Sequence, residues 1–268
     1  MGVALYDLKP IGTVQSTVTQ SRDMPLQGVP AVINVFDEFL KGLTGIESDT
    51  HINVIGWFDK ADRAPLMVRP RKISPQLEKR GVFSLRSPAR PNPLSLTATR
   101  LVKVEGPLLY VEPLDLIDGS PVVDIKPYSA GWDTIFWARD VHSALITQHM
   151  AEEQVLAELF REAFNFHGEK CAAIAVSAKI AYDAAQVLET SVRDIRLQLP
   201  QTVNPHLADG LVGVSRATMG NARLTFSEDP DIRIWTATRS VIYRVFDVSG
   251  SDAQRVLQMS SDQLFSRQ

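Results

Sequence analysis

The sequence is poor in cysteine, with Cys171 the single example in 268 residues. A disulfide framework is therefore excluded, and a reducing compartment, the cytoplasm, is expected. Long hydrophobic runs are absent as well. No stretch reaches the roughly 18 uninterrupted apolar residues of a membrane helix, so no membrane association is expected. The opening Met1-Gly2-Val3-Ala4-Leu5-Tyr6-Asp7 has no basic segment ahead of an apolar one, so a secretory signal peptide is not expected. The first half lacks a Gly-x-Gly-x-x-Gly run after a strand pattern, which argues against a Rossmann-type cofactor site there. Internal repeats and low-complexity tracts are also missing.

What is present is an ordinary soluble composition, 44% hydrophobic and 22% charged, in a chain long enough for two domains. The net charge of −3 conceals an asymmetry. Between Lys60 and Lys103 there are eleven Lys or Arg residues against Asp62 and Glu78. A basic window in an acidic chain suits an anionic partner such as phosphate, nucleic acid or an acidic cofactor, and equally a solvated basic face.

Apolar alternation and turn residues order the first half as short strands. Strands are expected at 9–17, at the start of 31–43 ahead of a short helix, and at 50–58, 82–85, 94–104 and 108–111. The Glu105-Gly106-Pro107 turn predicts a hairpin between the last two. Short strands with turn signals between them predict a mainly β domain closed as a small barrel, over residues 1–145. Residues 129–150 are a transition with aromatic residues at 132, 136 and 137, after which the composition changes. Residues 151–164 and 171–188 then carry helical patterns, the second apolar nearly all round. Strands at 192–199, 222–226, 232–237 and 241–245, and helices at 209–218 and 251–265, complete an α+β domain over 146–268. Ser251 or Asp252 is expected to cap the last helix.

The most distinctive stretch is 81–128. Arg90-Pro91-Asn92-Pro93 cannot be helix interior, because proline fixes φ and removes a donor. Arg86 and Arg90 offer planar forks suited to a carboxylate or phosphate, and Asn92 suits an adenine or amide edge. Asp118 can accept from a ribose hydroxyl, contact a cation or take a proton. Asp124 and Lys126 fall on one strand face and are expected to pair. His51, in an apolar strand, is expected at a core or interface position.

These same residues resemble a known family. Gly81-Val82-Phe83, Arg86-Ser87-Pro88, Arg90-Pro91-Asn92-Pro93, Leu116-Ile117-Asp118-Gly119-Ser120-Pro121 and Asp124-Ile125-Lys126-Pro127-Tyr128 are similar, in order, to the TsaA-like (YaeB-like, TrmO) family. The resemblance covers about 9–128. It implies a small β-barrel that binds S-adenosylmethionine, works as a homodimer and N6-methylates threonylcarbamoyladenosine in tRNA. A small-molecule acceptor, outside what the resemblance implies, is the other possibility. It further implies a cofactor site of Pro25, Leu26, Gln27, Asp59, Lys60, Arg86, Leu96, Leu116, Ile117, Asp118 and Gly119. Asp118, Arg90 and Asn92 are the catalytic candidates. Leu26 stands where the family has arginine, and Asp59 where histidine is common.

Residues 152–243 resemble the formylmethanofuran dehydrogenase E-like family, through Phe166-His167-Gly168-Glu169-Lys170-Cys171-Ala172 and Ala217-Thr218-Met219-Gly220-Asn221-Ala222-Arg223-Leu224. His167 and Cys171, four residues apart at the start of a helix, are candidate metal ligands that His206, Asp209 and Glu169 could join. No complete metal site is assigned from the sequence. The alternative to a methyltransferase is a non-catalytic metal- or cofactor-binding sensor module linked to one-carbon metabolism.

Overall fold

The computed structural model describes residues 7–136, 138, 150–248 and 250–268. The chain divides into two compact units, Met1–Ile135 and Phe136–Gln268. The expected boundary at 145 and 146 lies outside the described residues.

The first unit contains strands β1 (Gly12–Ser16), β2 (Val29–Val35), β3 (His51–Trp57), β4 (Met67–Val68), β5 (Arg80–Gly81), β6 (Leu94–Glu105), β7 (Leu108–Leu114) and β8 (Pro121–Pro127), followed by the single helical turn α1 (Ala130–Asp133). Six of them close into a barrel in the order β1-β2-β7-β6-β3-β8. All neighbouring pairs are antiparallel. The alternation in the sequence sets which side faces in. Ile52, Val54 and Gly56 of β3 point inward, as do Ala31, Ile33 and Val35 of β2, and these residues are buried. Leu109, Val111 and Leu114 of β7 join them in one core. The expected hairpin is present: Glu105 pairs with Leu108 across Gly106 and Pro107, and Gly106 has φ +57°.

Two readings of this unit change. Residues 82–85 are not a strand. Arg80–Gly81 pairs with Met67–Val68, and the chain then turns through a 3-10 helix at Val82–Ser84. Ser84 Oγ donates to the Gly81 carbonyl at 2.8 Å, which favours the turn. Val82 is buried and Phe83 is 83% exposed, so the apolar pair does not share one core-facing side. His51 is exposed at the start of β3, beside the Thr50 hydroxyl, so of the two positions expected for it, core and interface, the core is excluded.

The second unit carries helices α2 (Glu152–His167), α3 (Ala172–Val187), α4 (Pro205–Ser215) and α5 (Ala253–Gln258). Its strands are β9 (Arg196–Pro200), β10 (Leu224–Ser227), β11 (Ile232–Trp235), β12 (Ser240–Val245) and β13 (Phe265–Arg267), in sheet order β10-β9-β11-β12-β13. α3 is buried along Ile174, Ala175, Ala178, Ile180 and Ala181, as its all-round apolar pattern predicts. α4 begins earlier than the expected 209. Asn204 caps it by accepting from the His206 amide at 2.9 Å, and Pro205 fills the first turn, where its missing N–H costs nothing. The last helix is shorter than expected. Asp252 caps it, but it ends at Gln258, and Phe265 belongs to β13.

Glycines let α4 press against its neighbours. A Cβ on Gly210 would lie 2.4 Å from Ser177 Oγ of α3, and one on Gly213 would lie 2.7 Å from Phe166 Cβ of α2. Gly210 thus seats α4 on α3, and Gly213 seats the second half of α4 against the end of α2.

Leu109 is fully buried in the barrel and Val102 is 53% exposed on β6. Leu109→Ala should lower the unfolding free energy of the first unit by about 2–5 kcal/mol. Val102→Ala should change it by less than about 0.5 kcal/mol. Equal effects in denaturant titration would contradict the inward and outward assignment.

Candidate functional site

The barrel's connectivity gathers the candidate residues. Val29 pairs with Leu114, Trp57 with Leu94, Ser16 with Ala31 and Thr13 with Pro121. The ends of β1, β3 and β7 and the starts of β2, β6 and β8 therefore lie at one end of the barrel. Pro25, Leu26 and Gln27 precede β2, and Asp59 and Lys60 follow β3. Arg86, Arg90 and Asn92 precede β6, and Leu116 to Gly119 link β7 to β8. All occupy connections at this one end, with Leu96 two residues inside β6.

The link between β7 and β8 crosses that end and is pinned on several sides. Leu116 is fully buried, and its Cδ1 would lie only 2.4 Å from a Cβ on Gly56. Farther along, the Asp118 amide donates to the Val18 carbonyl and the Gly119 amide to the Val14 carbonyl, each at 2.8 Å. The Ser16 amide donates to Asp118 Oδ1 at 3.1 Å. Near the start of the link sits the Pro25–Gly28 turn, in which the Gly28 amide donates to the Pro25 carbonyl at 3.1 Å. Gly28 has φ +78°, and a Cβ there would be 2.6 Å from the Leu114 carbonyl oxygen. Only glycine satisfies both conditions.

Side-chain hydrogen bonds extend the cluster. The Thr97 hydroxyl donates to Asp115 Oδ1. Arg86 donates to the Leu96 carbonyl. Lys72 Nζ donates to the carbonyls of Ser21 and Met24 at 2.6 and 2.9 Å, tying the basic segment to the turn. Burial pushes the Lys72 pKa down, and the Asp115 and Asp23 carboxylates oppose that shift. Leu26 and Leu96 are 44% and 56% exposed. The cluster thus offers apolar surface, an exposed guanidinium and a loop carboxylate together, a combination suited to a partly apolar zwitterionic ligand.

Other candidates are placed differently. Arg90 donates to the carbonyls of Ser87 and Val82, each at 2.8 Å, and to that of Leu85, so it braces its own loop. Asn92 is exposed, and its carbonyl accepts from the Leu94 amide. Asp59 and Lys60 are exposed beyond β3, where Arg63 bonds the Pro91 carbonyl at 3.2 Å. Leu116 is fully buried and Ile117 nearly so, and the Ile117 carbonyl accepts from the Ser120 amide at 3.1 Å, so neither presents a group to open space. Asp118 lines a shallow groove with Gln15, Thr17 and Tyr110, on the β1 side. Asp124 and Lys126 pair at 2.9 Å, as expected. Sequence reasoning missed Gly28, Lys72, Thr97 and Asp115. Position inside the basic window was the available signal for Lys72.

In the second unit, His167 and Cys171 do not share one helix. They flank the turn at Gly168, at the end of α2 and just before α3. They nevertheless converge with His206, while Asp209 lies behind His167.

Residues 13–134 match the family model described as tRNA-methyltransferase O N-terminal domain. A probable S-adenosyl-L-methionine-binding protein of Archaeoglobus fulgidus is 33% identical over 236 residues, covering 83% of this chain and 61% of that protein. An S-adenosyl-L-methionine-binding protein of the same organism is 46% identical over 132 residues, covering 48% of this chain and 93% of its own. A tRNA (adenine(37)-N6)-methyltransferase of Mus musculus is 42% identical over 103 residues, covering 38% of this chain and 23% of its own. The chain therefore spans less than two thirds of the first of these relatives and less than a quarter of the mouse enzyme.

Lys72→Met should loosen the turn that precedes β2. Amide exchange across 21–28 is expected to speed up several-fold, equivalent to about 1 kcal/mol of local stability, with β2 and β7 amides unaffected. Unchanged exchange at 21–28 would show that Lys72 does not hold the turn.

Proposed function

The chain belongs to the tRNA-methyltransferase O N-terminal-domain family, and from that membership we propose that its first unit binds S-adenosylmethionine and transfers the methyl group to an acceptor nitrogen. The observation that carries this reading is the convergence of Pro25–Gly28, Arg86, Leu96 and the Leu114–Gly119 link at one barrel end. The residues there fit the cofactor. Leu26 and Leu96 supply apolar surface, Arg86 a fork for the α-carboxylate and Asp118 an acceptor for a ribose hydroxyl, while buried Leu116 and Ile117 seat the link that carries Asp118. When bound, the cofactor supplies an electrophilic methyl on a sulfonium.

The chain's own contribution is alignment. In-line displacement requires nucleophile, methyl and sulfur on one axis, and binding geometry supplies most of the acceleration. The turn at Gly28 and the buried anchor at Leu116 hold the loops for that purpose. Asp118 is the proposed acceptor of the proton released as the N–C bond forms, and Asn92 is proposed to hold the acceptor. Arg90, bonded to three carbonyls, keeps this loop in shape.

For the acceptor we propose tRNA, at the adenine read by this family. The support is the run of basic side chains from Lys60 to Lys103, of which Lys60, Arg69, Arg71 and Lys79 are exposed. A homodimer in the cytoplasm completes the proposal. Leu66, Met67 and Phe83 are exposed on the β4–β5 arm, apolar surface that a second copy would cover. Among the described residues no helix is long and apolar enough to cross a membrane. The likeness of 152–243 to the formylmethanofuran dehydrogenase E-like family is likewise proposed, from the Phe166–Ala172 and Ala217–Leu224 runs alone.

Titration calorimetry should show saturable binding of S-adenosylmethionine by the full chain, weakened about tenfold or more in Arg86→Ala, the value of one charge-assisted hydrogen bond. No binding by the wild-type protein, or binding by Arg86→Ala and Asp118→Ala as tight as that of the wild type, would sink the site. Mass spectrometry of tRNA nucleosides from a deletion strain should show loss of the N6-methyl group. An unchanged profile would remove tRNA as the acceptor.

A further inference from the structure

The second unit holds a cluster that the proposed methyl transfer does not use. His167 closes α2, Cys171 directly precedes α3, and His206 sits in the first turn of α4. Their ligand atoms all lie within 4.8 Å of one another. His206 Nδ1 is 2.8 Å from His167 Nε2 and 3.8 Å from Cys171 Sγ. On its other side, His167 Nδ1 is 3.0 Å from Asp209 Oδ2. An ionised carboxylate only accepts, so Nδ1 carries the proton and Nε2 the lone pair. That lone pair is aimed at His206 and Cys171. A carboxylate behind a histidine is the arrangement that fixes the tautomer and orientation of metal-binding imidazoles.

We propose that His167 Nε2, Cys171 Sγ and His206 Nδ1 bind one zinc-class transition-metal ion, with a fourth position open to a small ligand. One thiolate with two imidazoles selects for such ions over magnesium or calcium. Tetrahedral coordination with bonds of about 2.0–2.3 Å places donor atoms roughly 3.3–3.6 Å apart. The separations of 2.8 and 3.8 Å bracket that spacing, and the third pair of donors lies within 4.8 Å, so side-chain adjustment without backbone movement is what the site requires. The three donors come from three different helices or their flanks, held by the close packing at Gly210 and Gly213. His206 lies outside the runs that carry the family likeness of this unit, so the geometry stands without that likeness.

Cys171 and His206 both line a cavity of about 840 Å³, whose wall includes Val203, Tyr243 and Phe246. Asp231 and Arg244 lie in the same wall, paired at 3.0 and 2.9 Å. The cavity is large enough for a small metabolite. Three protein donors beside open space is the pattern of sites that bind water or a substrate at the metal, whereas a fourth protein ligand would close the site.

The test uses the full chain, purified without a histidine tag and titrated with Co²⁺. It should bind about one equivalent, with a thiolate-to-cobalt charge-transfer band in the near ultraviolet and intense tetrahedral bands in the visible. Cys171→Ser should remove the charge-transfer band. Asp209→Asn should keep that band and weaken affinity by about 10- to 100-fold. Azide should shift the visible bands through the open position. Circular dichroism checks that each variant is folded, and the wild-type titration stands even if a variant is not. No uptake of Co²⁺ or Zn²⁺ by the wild type, or a charge-transfer band that survives in folded Cys171→Ser, would overturn the metal site. Visible bands indifferent to azide would overturn the open position.

Discussion

The packing of Leu116 over Gly56 is the contact on which the rest of the candidate cofactor site depends. A strand-to-strand link that merely looped outward would leave the barrel end open and its own backbone wandering. Here a buried leucine drives the link across the end, into space that exists only because β3 carries glycine at position 56. Once Leu116 is seated, Leu114 and Asp115 are held against the Gly28 turn on one side. Asp118 and Gly119 are held against the β1 extension on the other. Hydrophobic burial thus supplies the energy, and the absence of two side chains supplies the room. The polar groups then need little further restraint, which is the condition for a preorganised site.

Much of the barrel is legible in the sequence because one of its faces is buried. Ile52, Val54 and Gly56 alternate with more exposed neighbours, and a period of two admits only one register. The Gly106-Pro107 hairpin is legible for a different reason, since its turn residues carry their own geometry. The 3-10 turn at 82–84 is not, because Val82-Phe83 has strand-like composition while the deciding interactions, Ser84 to Gly81 and Arg90 to Val82, are hydrogen bonds that composition does not display. The early start of α4 was signalled by Asn204-Pro205. Reading apolar spacing alone places the start at 209 and leaves His206 off the helix.

The candidate cofactor residues that the sequence pointed to share one barrel end because of strand order, which is a property of the topology and not of local pattern. Lys72 illustrates the limit. Its hydrogen bonds reach carbonyls of Ser21 and Met24, far away in the chain, and no local pattern indicates such a partner. Arg90 illustrates the converse. An arginine in a proline-rich loop reads as a ligand-binding group, yet its donors are committed to backbone carbonyls. In the second unit the four-residue spacing of His167 and Cys171 suggested one helix face. They converge instead across a turn, with His206 supplied by close helix packing.

The central claim is that the loops at one end of the barrel form the binding site for S-adenosylmethionine. Hydrogen–deuterium exchange of the full chain with and without the cofactor tests it directly. The account predicts slowed exchange in 24–28, 86–96 and 114–119, with the β9 segment 196–200 unaffected. Protection confined to the second unit, or no protection at saturating cofactor, would contradict it.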